Sequence, residues 1–264
     1  MVMEKLTGWE RSKRIVHADQ ALTEEQQSRY DQFKHELMHG RPVQYVLGEA
    51  WFYGFPFYVD EHVLIPRPET EELVDLIRKE QEIRMKLHEK KNVLDIGTGS
   101  GCIGIALKKT FPDWEVWAVD ESESALNTAK KNAATLQVEM HFNKINILHP
   151  NVDHQLPPFD IIVSNPPYIP ETDKQEMAKH VLDFEPHQAL FVTNNDPLQF
   201  YKAIILFSEA HLLRGGYLYF ETHSSYAAQV AKLMEENEFE EIELCKDMQG
   251  LDRIVKGRRP GASL

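Results

Sequence analysis

Two short segments hold residue types whose spacing suits chemistry. Asp95-Ile96-Gly97-Thr98-Gly99-Ser100-Gly101 sets three glycines at alternate positions, between an apolar run and the stretch that begins at Cys102. Glycine lets the chain turn tightly and lets a ligand lie directly against the backbone. The spacing lacks the third glycine of the dinucleotide fingerprint in its register, so a nicotinamide cofactor is not implied. Asp120 ends the next predicted strand and is the kind of carboxylate that accepts hydrogen bonds from ribose hydroxyls. The second segment is Asn165-Pro166-Pro167-Tyr168, directly after Asp160-Ile161-Ile162-Val163. An amide or aromatic amino nitrogen is a poor nucleophile because its lone pair is delocalised. The Asn165 side-chain carbonyl and the Pro166 backbone carbonyl can accept its two N–H bonds and aim that lone pair at an electrophile. Proline rigidity holds the acceptors in place, and Tyr168 offers a flat wall. The plainer readings are a tight strand–helix turn for the first segment and a Pro-Pro loop for the second.

The elements that must position these segments alternate between strand and helix. Strands are expected at 93–96, 115–119, 140–145, 160–163, 217–221, 241–245 and 253–256. Helices are expected at 102–110, 124–134, 197–213 and 226–237, with 169–196 irregular. This alternation predicts an α/β doubly wound, mostly parallel seven-stranded sheet covered on both faces. Ligands of such sheets sit beyond the carboxyl ends of the central strands, so both segments face one crevice. Ahead of the sheet, the first forty residues read as helix, with Thr23 and Gln26 forming a capping box and His39-Gly40-Arg41-Pro42 a stop. Val43–Leu64 reads as a hairpin, and acids at 69, 71 and 72 open a helix running to about Lys90. The expected division is a helical segment over 1–42, a β-hairpin linker over 43–65 and a catalytic domain over 66–264.

The chain has 264 residues, ample for a core without staples. It carries 29 Lys and Arg against 42 Asp and Glu, a formal charge of −13. That balance gives no long-range pull toward phosphate backbones or anionic membranes. Its two cysteines lack a CxxC pair, and the N-terminus lacks a signal-peptide core, so a cytoplasmic protein without membrane or metal, acting as a monomer, is expected.

In this order the glycine segment, Asp120 and NPPY resemble the class I S-adenosylmethionine-dependent methyltransferases that act on nitrogen. NPPY alone leaves the amino groups of DNA adenine or RNA bases open as acceptors. Further stretches narrow the resemblance: Arg41-Pro42-Val43-Gln44-Tyr45, Gly48-Glu49, Leu64-Ile65-Pro66-Arg67-Pro68-Glu69-Thr70-Glu71, Phe184-Glu185-Pro186, Ala189-Leu190, Gly215-Gly216 and Asp252-Arg253. From about Leu22 to Gly257 the chain resembles the HemK-type peptide chain release factor N5-glutamine methyltransferases. The charge of −13 favours that protein amide over a nucleic acid.

The resemblance implies S-adenosyl-L-methionine as methyl donor, S-adenosyl-L-homocysteine as product and release factors as protein partners. Asp95, Gly97, Thr98, Gly99, Ser100 and Gly101 would cradle the methionine and ribose, and Asp120 would bind the ribose hydroxyls. Asn165, Pro166, Pro167 and Tyr168 would clamp the carboxamide of the glutamine in a Gly-Gly-Gln motif, Asn165 also bordering the cofactor. Arg67, Glu69 and Glu72 would line the mouth. Two departures stand out. Asn146-Ile147 occupies the position where the family has an acidic residue and an aromatic near the adenine, and the N-terminal helical segment is shorter than the family's. A second class of reading is a non-catalytic protein that holds the cofactor or a translation factor, separable by a labelled-methyl transfer assay.

Other patterns have bland readings. His35-Glu36-Leu37-Met38-His39 matches the zinc-protease spacing, but the helix stops at once and Leu37 belongs to its apolar stripe. Cys102 reads as a small packing residue under the glycine loop. The aromatic run Trp51–Tyr58 reads as a packed hairpin with one face near the cofactor, and the acids of 235–243 as a solvated helix end.

Overall fold

Val93-Leu94, Ile161-Ile162-Val163 and Leu218-Tyr219-Phe220 are apolar runs too short for helices, and each becomes part of a strand buried on both faces. The computed structural model describes residues 1–84, 89–149, 156–193 and 195–261. In chain order the elements begin with α1 (Val2–Thr7), α2 (Arg11–Val16), α3 (Glu24–Met38), α4 (Val43–Leu47), β1 (Ala50–Phe52), β2 (Phe55–Phe57) and α5 (Pro68–Arg84). They continue with β3 (Asn92–Ile96), α6 (Cys102–Thr110), β4 (Glu115–Asp120), α7 (Glu123–Thr135), β5 (His141–Lys144), β6 (Phe159–Ser164) and β7 (Ile169–Pro170). A 3-10 turn (Glu171–Glu176), α8 (Lys179–Phe184), α9 (His187–Leu190) and β8 (Phe191–Val192) follow, then α10 (Gln199–His211), β9 (Leu212–Glu221), α11 (Ala227–Glu236), β10 (Glu240–Lys246) and β11 (Asp252–Arg258).

Among the described residues seven strands form one sheet in the order β10-β11-β9-β6-β3-β4-β5. The pairs β3–β4, β4–β5, β3–β6 and β6–β9 are parallel, while β11 runs antiparallel to β9 and β10. Strand order reverses between β3 and β6, which is where an open α/β sheet leaves a crevice for a ligand. Alternate strand residues serve separate cores. Leu94, Ile96, Ile162, Leu218 and Phe220 pack with Tyr201, Ile204, Val230 and Met234 on one face. Val93, Ile161, Val163 and Tyr219 pack with Leu73, Val74, Ile77, Ile105 and Leu107 on the other.

The expected capping box is present, with Thr23 Oγ1 accepting from the Gln26 N–H and Gln26 Oε1 from the Thr23 N–H. The leading forty residues are three helices with breaks between them, the first closed at Gly8 in the left-handed region. Val43–Leu47 is helical where extended chain was expected. Its Tyr45, Val46 and Leu47 are buried, and Val46 and Leu47 join Leu6 and Phe33 in a small core. Tertiary packing there overrides the β-prone composition. The hairpin β1–β2 turns through Tyr53 and Gly54, both at positive φ as a two-residue type I′ turn needs. The stretch 169–196 holds short elements where irregular chain was expected, β7 and β8 pairing in parallel. The end expected for α5 near Lys90 includes 85–88, outside the described residues. No helix among the described residues is long and apolar enough to cross a membrane.

Candidate active site

Leaving β3, the chain passes through Gly97, Gly99 and Gly101 at φ 71°, 55° and 81°. A side chain at Gly97 or Gly99 would stand in open space, so the backbone there lies bare to the cleft; at Gly101 a Cβ would meet Ile105 Cδ1 at 3.0 Å and Ala129 Cβ at 3.2 Å. The loop is tied to β4 by N–H groups. Gly97 and Thr98 donate to the Val119 carbonyl at 2.9 and 3.1 Å, and Gly99 donates to Asp120 Oδ2 at 3.0 Å. Asp120 Oδ1 accepts from the Ser122 N–H at 2.9 Å. Burial raises the Asp120 pKa, and these N–H donors pull against that rise.

Asp95 does not line the cleft. Fully buried beneath the loop, its Oδ2 accepts from the Thr98 hydroxyl at 2.6 Å and the Gly104 N–H at 3.1 Å, while Oδ1 has no partner. Burial pushes this carboxyl up to about 6. Its part is to shape the loop from below. Cys102 does line the cleft, and burial pushes its thiol up to about 12, far from a reactive thiolate.

On the other side of the switch point, the Ser164 hydroxyl donates to the Ile96 carbonyl at 2.7 Å and stitches β6 to β3. Asn165 follows, and its Nδ2 donates to Thr70 Oγ1 at 3.2 Å. The Thr70 hydroxyl donates to Glu221 Oε2 at 2.6 Å. Glu221 is buried at the end of β9, its carboxyl pushed up to about 7 by burial. Tyr168 was expected as a wall of the cleft. Instead the half-buried side chain has its hydroxyl 3.5 Å from Glu221 Oε1 and its ring against the core that holds Tyr201 and Ile204, an arrangement that gives the phenol a polar partner.

The cleft encloses about 280 Å³ and brings together Gly97–Ser100, Asp120, Asn146, Ile147 and Asn165-Pro166-Pro167, while Gly101 lies off the lining. Arg67 also lines it, with Nη2 2.6 Å from Glu185 Oε1, while Glu185 Oε2 accepts from the Ile65 N–H at 3.2 Å. Among the described lining residues Arg67 is the one Lys or Arg, and Glu61, Asp120 and Glu121 also line the cleft. Glu69 lies off the lining, and Glu72 accepts from the Met248 N–H at 3.0 Å. Asn146 Oδ1 accepts from the Leu148 N–H at 2.9 Å and so also shapes its own turn. None of the hairpin aromatics 51–58 lines the cleft; Phe52 and Phe57 are buried against α5. The rings of His35 and His39 meet at the end of α3 with centroids 4.1 Å apart and planes tilted by 34°.

Residue-type reasoning gave no role to Thr70, Ser164, Glu185, Glu221 or Asn132. Glu221 carried a signal, an acid closing the apolar run Leu218-Tyr219-Phe220 on the crevice side of the sheet. Asn132 carried none. Its side chain, inside α7, bonds both the N–H and the carbonyl of Tyr58, and the carbonyl of Ser100.

Known proteins resemble this chain in sequence and in fold. The family model of the PrmC N-terminal domain matches residues 1–48, and that of the methyltransferase small domain matches residues 80–190. A release factor glutamine methyltransferase of Flavobacterium psychrophilum is 43% identical over 97% of this chain and 89% of its own length. One from Bacteroides thetaiotaomicron is 45% identical over 84% of this chain and 78% of its own. Among solved structures, a methyltransferase from Pyrococcus furiosus covers 86% of this chain and 98% of its own at TM-score 0.56 and 14% identity. A 16S rRNA methyltransferase from T. thermophilus, solved with AdoMet and guanosine, covers 80% and 49% at TM-score 0.54 and 17% identity. At those identities the structural likeness concerns the fold alone.

Proposed function

Because the chain belongs to the release factor glutamine methyltransferases, we propose that its cleft directs methyl transfer to the side-chain amide nitrogen, N5, of the glutamine in the Gly-Gly-Gln motif of class 1 peptide chain release factors, modulating translation termination. The observation that carries this reading is the shared cavity in which the glycine loop, Asp120 and Asn165-Pro166-Pro167 face one another across the switch point. When bound, S-adenosyl-L-methionine supplies a methyl group on a sulfonium, an electrophile that needs alignment more than activation.

The residues present fit that group. Bare backbone at Gly97 and Gly99 accepts close approach of the methionine and ribose, and the doubly anchored Asp120 carboxylate suits the ribose hydroxyls. Asn146 and Ile147 border the adenine end. Asp95 acts from beneath by fixing the loop.

Asn165 Oδ1 and the Pro166 carbonyl accept the two N–H bonds of the glutamine amide and turn its lone pair toward the methyl donor. Pro167, Phe200 and Ile204 keep water from the nitrogen. Ordering reactants in this way recovers several kcal/mol of a barrier, ~3 or more. No strong general base is required, since an N-methylated, protonated amide is acidic enough to lose its proton to water. Segment 1–42 serves release-factor docking, 43–65 links it to the catalytic domain, and 66–264 carries the chemistry, in the cytoplasm. A nucleic acid acceptor is disfavoured by the acidic lining, in which the one Lys or Arg among the described residues, Arg67, is ion-paired.

The test offers folded release factor and ribosomal RNA in parallel with labelled methyl donor. A one-methyl mass gain on the Gly-Gly-Gln peptide is expected, and Asn165→Ala should lower it by about a hundredfold or more while calorimetric cofactor affinity holds. Label entering RNA ahead of protein would overturn the substrate; full turnover in Asn165→Ala would overturn the clamp.

A further inference from the structure

We propose that Thr70 and Glu221 are positioning residues that set which way round the Asn165 carboxamide faces the substrate. The inference deepens the amide-clamp reading above and rests on it. A carboxamide has two ends of similar shape and opposite hydrogen-bonding sense, and packing alone discriminates weakly between them. A clamp for an N–H group works only with the oxygen turned to the cleft.

The chain of three side chains supplies a direction. The Thr70 hydroxyl has one proton, and the Glu221 carboxylate 2.6 Å away takes it. Toward Asn165 the threonine oxygen can then only accept, so it binds Nδ2, at 3.2 Å. Asn165 Oδ1 accepts no hydrogen bond from any described residue and is left for a ligand. Thr70 and Glu221 are 3% and 1% exposed, so water does not compete for this proton order. Glu221 is itself held in register by pairing with Ile254 of β11 and by the Tyr201 hydroxyl on its carbonyl.

The direction depends on the charge of Glu221. Its carboxyl stands near 7 through burial; Thr70, Arg253 and Tyr168 favour the ionised form and Glu69 opposes it. Cys102 on α6 lies within electrostatic reach, Tyr201 of α10 donates to its carbonyl, and His223 packs on Tyr168. Protonated, Glu221 can donate to Thr70, whose proton is then free to turn to Asn165 Oδ1. The amide rotates and shows its NH₂ to the cleft, where the substrate N–H finds a donor instead of an acceptor.

Three variants and one spectroscopic measurement on the unaltered protein test this, with release factor and S-adenosylmethionine as substrates. Thr70→Val should lower kcat by about tenfold with cofactor affinity and melting temperature held, and Thr70→Ser should restore most of the loss. In the wild type kcat should fall as pH drops through about 7, and Glu221→Gln, which can bond Thr70 in either sense, should lower kcat and remove that step. The Asn165 side-chain amide signal in NMR of the wild type should show a hydrogen-bonded Nδ2 above that step and lose it below, whatever the folding of any variant. Wild-type kcat in Thr70→Val, an unaltered pH step in Glu221→Gln, or an amide signal indifferent to pH, each with Asn165→Ala inactive, would overturn the positioning role alone. An active Asn165→Ala would remove the clamp and this inference together.

Discussion

The glycine wall of the cleft comes from one stretch of chain, Asp95 to Ser122, and most of its ties are backbone N–H groups meeting a carbonyl or carboxylate. The opposite wall draws Thr70 from α5, Asn165 from the end of β6 and Glu221 from β9, and its ties run side chain to side chain. Backbone fixes a shape, which suits a ligand that lies along it. Side chains add a direction of hydrogen bonding, which suits a group that must be presented one way round. Damage to the first wall should therefore register in cofactor binding and stability, and damage to the second in turnover.

The harshest break of that contrast is Gly101→Val. A branched side chain at φ 81°, against Ile105 and Ala129, combines left-handed strain with overpacking, together about 3 kcal/mol or more. A denaturant melt should show that loss along with weakened cofactor binding; wild-type values in both would mean the glycine wall does not depend on its backbone shape. Milder is Asp120→Ala, expected to raise the cofactor Kd by about tenfold while kcat at saturation is kept. Equal affinity by calorimetry would end its ribose role, and a fall in kcat alone would blur the two walls.

The smallest effect is one of pH. Asp95 has its folded pKa raised to about 6, so the stability it contributes is complete below the ordinary carboxylate range and is lost as pH climbs through about 6. For Glu221, in the other wall, the same loss extends to about 7. Melting temperature without ligand should fall by about 3 °C or more over that interval, and Asp95→Asn should flatten the lower part alone. An unchanged slope in Asp95→Asn would assign the dependence elsewhere.

What could be read from residues follows the same division. The strand ending in Asp95, the glycine loop and the helix Cys102–Thr110 were legible because they are contiguous and each local rule agrees with the fold. Thr70 and Glu221 were not, because their meaning lies in a contact between residues separated by 151 positions. Tyr168 went the other way. Its place in NPPY suggested a wall of the cleft, and only the position of Glu221 reveals that its hydroxyl faces inward. Val43–Leu47 looked extended because Val and Tyr favour strands, and it is helical because Leu6 and Phe33 wait for its apolar face.

Asn132 has one consequence for the delivery of a large substrate. By holding Tyr58 through both backbone groups and Ser100 through its carbonyl, one amide welds the linker after β2 to the floor of the glycine loop. Tyr45 reaches across to the Val63 carbonyl, and Lys5 pairs with Glu49, so the leading helices are braced to that linker in turn. The arrangement resembles a caliper with one jaw on the leading helices and the other at the cleft. Under the docking proposed above, its span would set how long an incoming protein loop must be to reach Asn165.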